Sequence, residues 1–277
     1  MIVAEDVPAC LVETLRREGL DTVDGAFAYA GGEALTKPGL GSRRRMRLSL
    51  TDDAGRTHEL YMKLYGGEPL GRRIGRWLTY GRFVSPARAE FENILAVRAA
   101  GITTMEPVAW GQETTRPGAK RSYVIVSAVR GEALERCGQE FIARCAERPD
   151  LLDELTERLC LLVRALHGAG YVHRDLYASH VFLDVSRGRV ELSLIDLARV
   201  FRPRWRRFRW RAKDLAQLKY SMPPEWVERC WESFLRKYLS GGDERRLRRW
   251  SLAIDGKVER MRRRARRKTM RGRKDER

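Results

Sequence analysis

No apolar run in the 277-residue sequence approaches the ~20 residues needed to cross a bilayer. Its start, with Glu5 and Asp6 among the first ten positions, lacks the basic-then-apolar order of a secretory leader. A cytoplasmic protein is therefore expected. There is no CxxC pair: Cys10, Cys137, Cys145, Cys160 and Cys230 are scattered, without the close histidine partners that metal sites use. They read as reduced thiols that mostly fill core space. No internal repeat is visible. Acidic residues are the scarce charge, 37 Asp and Glu against 55 Lys and Arg, for a formal net charge of +18.

What remains is enough to fold. Hydrophobic residues at 43% beside charged residues at 33% exclude disorder throughout, and the length suits one large domain or two closely packed lobes. The basic excess is unevenly spread. From Gly256 to Arg277 twelve Lys or Arg face only Glu259, Asp275 and Glu276, so this tail supplies half of the net charge. From Arg202 to Lys213 seven basic residues stand without an acidic one, interleaved with Trp205, Phe208 and Trp210. Both segments should seek anions. For the tail, read as a disordered or helical extension, the expected partner is an anionic membrane surface, with nucleic acid second.

The pattern along the chain changes from β-rich to helical. Residues 7–20 read as a short amphipathic helix, and 28–65 as strands broken at Gly39, Gly41 and Ser42 and at an Asp52–Gly55 hairpin. Ser85-Pro86 is an N-cap followed by proline at the first helical position, opening a helix to about Ala100 that Gly101 ends. Tyr123–Val129 is a buried strand, and Gly131 follows as a natural hinge. Leu152, Leu155, Leu159, Leu162, Val163 and Leu166 mark a long helix, Val181–Leu183 and Val190–Ile195 two strands, and helices resume near Asp214. The expected organisation is an N-terminal lobe over 1–130, a C-terminal lobe over 131–255 and a basic tail over 256–277.

The sharpest chemical signal is Tyr171-Val172-His173-Arg174-Asp175-Leu176, followed 21 residues after Asp175 by Asp196 in Leu194-Ile195-Asp196-Leu197. Kinase-type phosphoryl transfer needs one carboxylate near the acceptor hydroxyl and another that holds Mg²⁺ against nucleotide phosphates. Upstream, Lys63 sits in the apolar strand Leu60-Tyr61-Met62-Lys63-Leu64, where an ammonium is costly unless it meets phosphate and carboxylate; the bland alternative is an edge-strand lysine reaching solvent. Its carboxylate partner should lie on the next helix, where Glu90 and Glu92 compete. Glu90 is favoured because it shares a face with Ile94 and Val97. Taken singly, Asp175 is equally a turn residue, and His173 and Asp214 read as structural, Asp214 as an opening helix residue that supports the catalytic loop. The ordered series of strand-Lys, helix-Glu, hinge strand, long helix, His-Arg-Asp and strand-Asp matches an α+β, two-lobed protein-kinase-like fold, with a small β-rich first lobe and a mainly helical second.

The stretches His173–Leu183, Ile195-Asp196-Leu197-Ala198-Arg199 and Arg204-Trp205 to Lys213-Asp214-Leu215 resemble the lipopolysaccharide core kinase family, whose members phosphorylate heptose or 3-deoxy-octulosonate sugars. The resemblance covers most of the chain and is densest between residues 170 and 220. It implies ATP and Mg²⁺ as cofactors, Asp175 as catalytic base, Asp196 as metal ligand, and Lys63 with Glu90 as nucleotide clamp. His180 stands where protein kinases place an asparagine on a second metal, a histidine typical of the resembled family, and is assigned to the nucleotide side. Gly39-Leu40-Gly41-Ser42-Arg43-Arg44 supplies half of a glycine-rich phosphate loop, so Gly39 and Gly41 join that set.

Only 17 residues separate Asp196 from Asp214, too few for a long activation segment and peptide platform. The gap is filled by arginines, of which Arg204, Arg207, Arg209 and Arg211 are assigned to an anionic, lipid-linked sugar substrate. The expected activity is transfer of the ATP γ-phosphate to a sugar hydroxyl at the inner face of the cytoplasmic membrane, the enzyme being held peripherally. Two other readings use the same residues: a small-molecule or atypical protein kinase, and a catalytically dead scaffold that binds lipid or RNA through its tail.

Overall fold

The computed structural model describes residues 1–35, 43–67, 70–113, 121–145 and 148–275. The chain divides into two compact units: Met1–Ala99 with Thr103–Val129 and Asp196–Phe201, and Ala100–Ile102 with Arg130–Ile195 and Arg202–Arg277. The first unit thus includes the Asp196–Phe201 segment, which the sequence placed in the second lobe.

The first unit contains β1 (Ile2–Val3), α1 (Ala9–Arg17), α2 (Val23–Ala28), β2 (Glu33–Ala34), β3 (Arg43–Thr51), β4 (Thr57–Tyr65), α3 (Leu70–Tyr80), α4 (Pro86–Ala99), β5 (Pro107–Gln112) and β6 (Ser122–Ser127). Its strands form one antiparallel sheet in the order β1-β5-β6-β4-β3-β2. Strict alternation sends Met46, Leu48 and Leu50 of β3 and Leu60, Met62 and Leu64 of β4 into one core with Leu11, Leu15, Tyr123 and Ile125. The other face of β4 is thereby left to Tyr61, Lys63 and Tyr65. The β3–β4 hairpin turns at the expected place, and the buried Asp52 carboxylate accepts the backbone N–H groups of Ala54 and Arg56 there. α4 begins as expected, with the Ser85 hydroxyl accepting the N–H of Arg88 at 3.2 Å.

The second unit contains β7 (Glu132–Ala133), α5 (Leu134–Arg144), α6 (Pro149–Gly168), β8 (Val181–Asp184), β9 (Glu191–Leu194), α7 (Arg207–Ser221), α8 (Pro224–Tyr238) and α9 (Glu244–Asp275). α6 buries Leu152, Leu155, Leu159, Val163 and Leu166 at helical spacing. Trp226, Trp231 and Phe234 of α8 form an aromatic cluster, and the Trp226 indole donates to Thr156 of α6 at 3.1 Å. Gly131, expected to be a hinge, lies hard against β8: a Cβ there would stand 2.1 Å from the Leu183 carbonyl oxygen.

One expectation needs correction. Helix does not resume at Asp214 but at Arg207, so the Arg-Trp segment is loop only as far as Arg206 and Asp214 lies in mid-helix. Arginine is a good helix former, and Phe208, Ala212 and Leu215 repeat on one face, with Phe208 packed edge-on against Trp250 at 4.7 Å. The basic tail takes the helical form, one of the two expected for it. It is the distal part of the 32-residue α9, which is anchored by the buried Trp250, Ile254 and Val258.

Candidate active site

In the first unit a carboxylate pair closes on Lys63. Its Nζ lies 2.5 Å from Glu90 Oε1 and 3.1 Å from Asp196 Oδ1. Glu90 is fully buried on the inner face of α4, and its second oxygen accepts the Tyr65 hydroxyl at 2.5 Å. Glu92 points elsewhere and pairs with Arg82 and Arg88. Of the two candidates, Glu90 therefore meets the lysine. Burial works against the Lys63 ammonium, but the Asp196 and Glu90 carboxylates overcome it and raise its pKa above the usual value. Burial, reinforced by Glu90, also holds the Tyr65 phenol well above its ordinary range, so it remains a donor.

Asp196 is fixed from several sides. Its other oxygen accepts Arg45 Nη2 at 3.1 Å, and Arg45 stands opposite Lys63 in the β3–β4 register. The backbone of Asp196 is left-handed (φ 59°, ψ 60°), a strained conformation of the kind concentrated at functional sites. The segment that follows is tied to α4: Asn93 Nδ2 donates to the carbonyls of Leu197 and Val200, each at 2.9 Å. Sequence reading missed Arg45, Tyr65 and Asn93. Counting outward from the Asp52–Gly55 turn would have paired residue 45 with residue 63; nothing local marks Asn93.

In the second unit, the His-Arg-Asp loop is held by Asp214. Its buried carboxylate accepts the backbone N–H of His173 at 2.6 Å and of Arg174 at 2.8 Å, with His167 Nε2 at 3.3 Å. Lys213 Nζ takes the Arg174 carbonyl at 2.5 Å, and Arg174 is left-handed (φ 70°). His173 Nε2 meets the Ile195 carbonyl at 3.1 Å, which requires a hydrogen on that nitrogen. The ring of His173 stacks on His180, whose Nδ1 must likewise donate to the Asp175 carbonyl at 2.7 Å. Asp175 is thus half-buried, on a backbone fixed before and behind it.

Of the arginines assigned to substrate, Arg204, Arg207 and Arg209 are exposed. Arg211 is half-buried and donates to the His167 carbonyl in the last turn of α6. Gly39 and Gly41 lie outside the described residues.

Among the described residues no cluster of three or more His, Cys, Asp or Glu side chains surrounds a point. Mg²⁺ takes oxygen from one or two carboxylates and the rest from phosphates and water. The Asp196 carboxylate is a donor of the type such an ion takes. No helix of the described residues is long and apolar enough to cross a membrane.

A strand lysine clamped by a helix glutamate and a left-handed aspartate, in a chain that also carries a braced His-Arg-Asp loop, defines a protein-kinase-like phosphotransferase. The fold agrees: a solved structure described as WaaP in complex with acyl carrier protein matches 94% of this chain and 99% of its own, with a TM-score of 0.65 at 26% identity. Residues 39–238 match the lipopolysaccharide kinase (Kdo/WaaP) family, and the chain belongs to that family. Over 187 residues it is 33% identical to the lipopolysaccharide core heptose(I) kinase WaaP of Pseudomonas aeruginosa, covering 66% of this chain and 68% of that one. The corresponding Escherichia coli kinase is 31% identical over 191 residues, with the same coverage. Membership makes the chain an ATP-using phosphotransferase of a lipopolysaccharide kinase family.

Proposed function

We propose that the chain phosphorylates a heptose hydroxyl of a lipopolysaccharide core, with Mg²⁺-bound ATP as donor, at the inner face of the cytoplasmic membrane. The observation that carries this reading is the half-buried Lys63 ammonium held between Glu90 and Asp196, together with relatives named as heptose(I) kinases.

Lys63 contacts the nucleotide phosphates, and Glu90, fixed by Tyr65, keeps the ammonium aimed. Asp196 would hold the Mg²⁺, which would neutralise charge on the phosphate oxygens. Asp175 accepts the proton of the sugar hydroxyl as its oxygen bonds to the γ-phosphorus and ADP leaves. His180 fixes the Asp175 backbone through its carbonyl. Arg204, Arg207 and Arg209 offer guanidinium forks to anionic groups of the core, and Arg211 shares this duty while bracing α6. The cationic end of α9 adds attraction to an anionic leaflet.

The test is transfer of labelled phosphate from ATP to purified heptose-containing core lipid, with Asp175→Asn and Asp196→Asn beside the native chain. Transfer to the heptose that disappears in both variants supports the reading. Transfer only to a different sugar, or an unchanged rate in either variant, refutes it.

A further inference from the structure

α3 presents its faces the wrong way round for a helix of a water-soluble protein. Ile74, Trp77 and Leu78 share one side at the i, i+3, i+4 spacing, and they are 51%, 42% and 71% exposed. The opposite side carries Arg73, Arg76 and Tyr80, all half-buried. The Tyr80 hydroxyl donates to the Val200 carbonyl at 2.9 Å and accepts Asn93 Nδ2 at 3.0 Å, which fastens that polar side to the first unit. Gly81 ends the helix with φ 70°, its N–H on the Trp77 carbonyl, and the chain turns back so that Phe83, 69% exposed, stacks on Trp77 at 6.1 Å. An exposed aliphatic and aromatic ridge is thus presented outward by a polar anchor.

The charge around this ridge selects the occupant. Between Leu70 and Ala89 the sequence has Arg72, Arg73, Arg76, Arg82 and Arg88 and no acidic residue; Glu92 of α4 pairs with Arg82 and Arg88, so the segment keeps a cationic excess. An apolar face with Trp and Phe in an arginine surround suits the headgroup–acyl boundary of an anionic bilayer, where the aromatics sit at the interface and guanidiniums meet phosphate. We propose that α3 and the following turn through Phe83 form a membrane-inserting element, seated in anionic phospholipid through Ile74, Trp77, Leu78 and Phe83. This deepens the peripheral membrane seat proposed above but does not depend on which sugar is phosphorylated.

The probe is sedimentation with vesicles of phosphatidylethanolamine and phosphatidylglycerol, using the native chain and an Ile74→Ser/Trp77→Ser/Leu78→Ser variant. At about 1 M salt, where charges are screened beyond about 3 Å, the native chain should stay bound and the variant should bind roughly tenfold more weakly or not at all. Should the triple variant fail to fold, Leu78→Gln alone must weaken high-salt binding several-fold. Native-like binding by a folded variant overturns the proposal, as does a native chain that leaves these vesicles in high salt. So does a result in which the substitutions spare vesicle binding but abolish capture of an acidic carrier protein. Phosphate transfer to a delipidated core sugar, measured alongside, should be unchanged in the variants; a native chain that shows no transfer defeats the acceptor reading without touching this one.

Discussion

The Tyr65 hydroxyl donates to Glu90 Oε2 at 2.5 Å, so the carboxylate that holds Lys63 is itself held. The phenol is two residues from the lysine on β4 and on the same face, so one strand supplies both the cation and the donor that orients its partner. Tyr65→Phe should cost about 2 kcal/mol, the worth of a buried bond to a charged acceptor. The KM for ATP should rise several-fold with a smaller fall in kcat. Thermal denaturation and steady-state kinetics check both.

Lys63→Met removes the cation but leaves Glu90 with no exposure to water. Breaking a buried pair on one side costs about 3–5 kcal/mol, so a large fall in Tm is expected together with loss of transfer. Adding Glu90→Gln removes the stranded charge. The double variant should regain much of the lost stability and none of the activity, a split that a purely structural role for the pair would not produce.

These residues differ in how far sequence reveals them. Lys63 stands out because an ammonium in an alternating apolar strand needs a reason, and Glu90 because the i+4 and i+7 positions after it are apolar. Asp175 and Asp196 are marked by their neighbours. By contrast, nothing local marks α3: Gly71 and Gly75 weaken its helical signal, and its apolar side serves no core. The start of α7 is hidden because a run rich in arginine reads as solvated loop until Trp250 is known to receive Phe208. Asn93 and Tyr80 act through backbone carbonyls distant in sequence, and no local pattern encodes such partners.

The pH dependence of stability should have two limbs. The raised pKa values of Lys63 and Tyr65 mean that the folded state keeps protons the unfolded chain loses, so their stabilisation is full below about pH 10 and is lost as pH rises through the folded values. Asp52 is the opposite case: a hydrogen bond with His58 and the N–H of Arg56 depress its pKa, outweighing burial. Its contribution is present above about pH 3.9 and falls away as acid protonates the folded carboxylate. Melting curves across pH should show Tyr65→Phe flattening the alkaline limb and Asp52→Asn the acid one.

Asp214 is predicted to act on catalysis without touching substrate. An asparagine there would have to turn its amide group toward one of the two backbone N–H groups now accepted by the carboxylate, setting donor against donor. Asp214→Asn should cost about 3 kcal/mol and reduce kcat more than it raises the KM for ATP. Asp214→Glu, which keeps the charge but displaces it, should recover stability better than rate. Denaturant titration beside initial rates separates the two effects.

α9 combines an anchor and a free cationic end. Ile254 is fully buried, and Ile254→Ala should cost about 2–4 kcal/mol through the cavity it leaves. Beyond Met261 the described side chains are exposed, and Arg262, Arg263, Arg264, Arg266 and Arg267 follow one another with only Ala265 between them. A chain ending at Met261 should therefore keep its melting temperature and its transfer to a delipidated sugar. At low salt it should bind anionic vesicles more weakly, because each cation near such a surface contributes about 1 kcal/mol. The loss should shrink as salt is raised, leaving the high-salt binding assigned to α3. A truncated chain that melts early would place the distal helix in the fold; one that binds vesicles as well as the intact chain at low salt would remove α9 from the membrane seat.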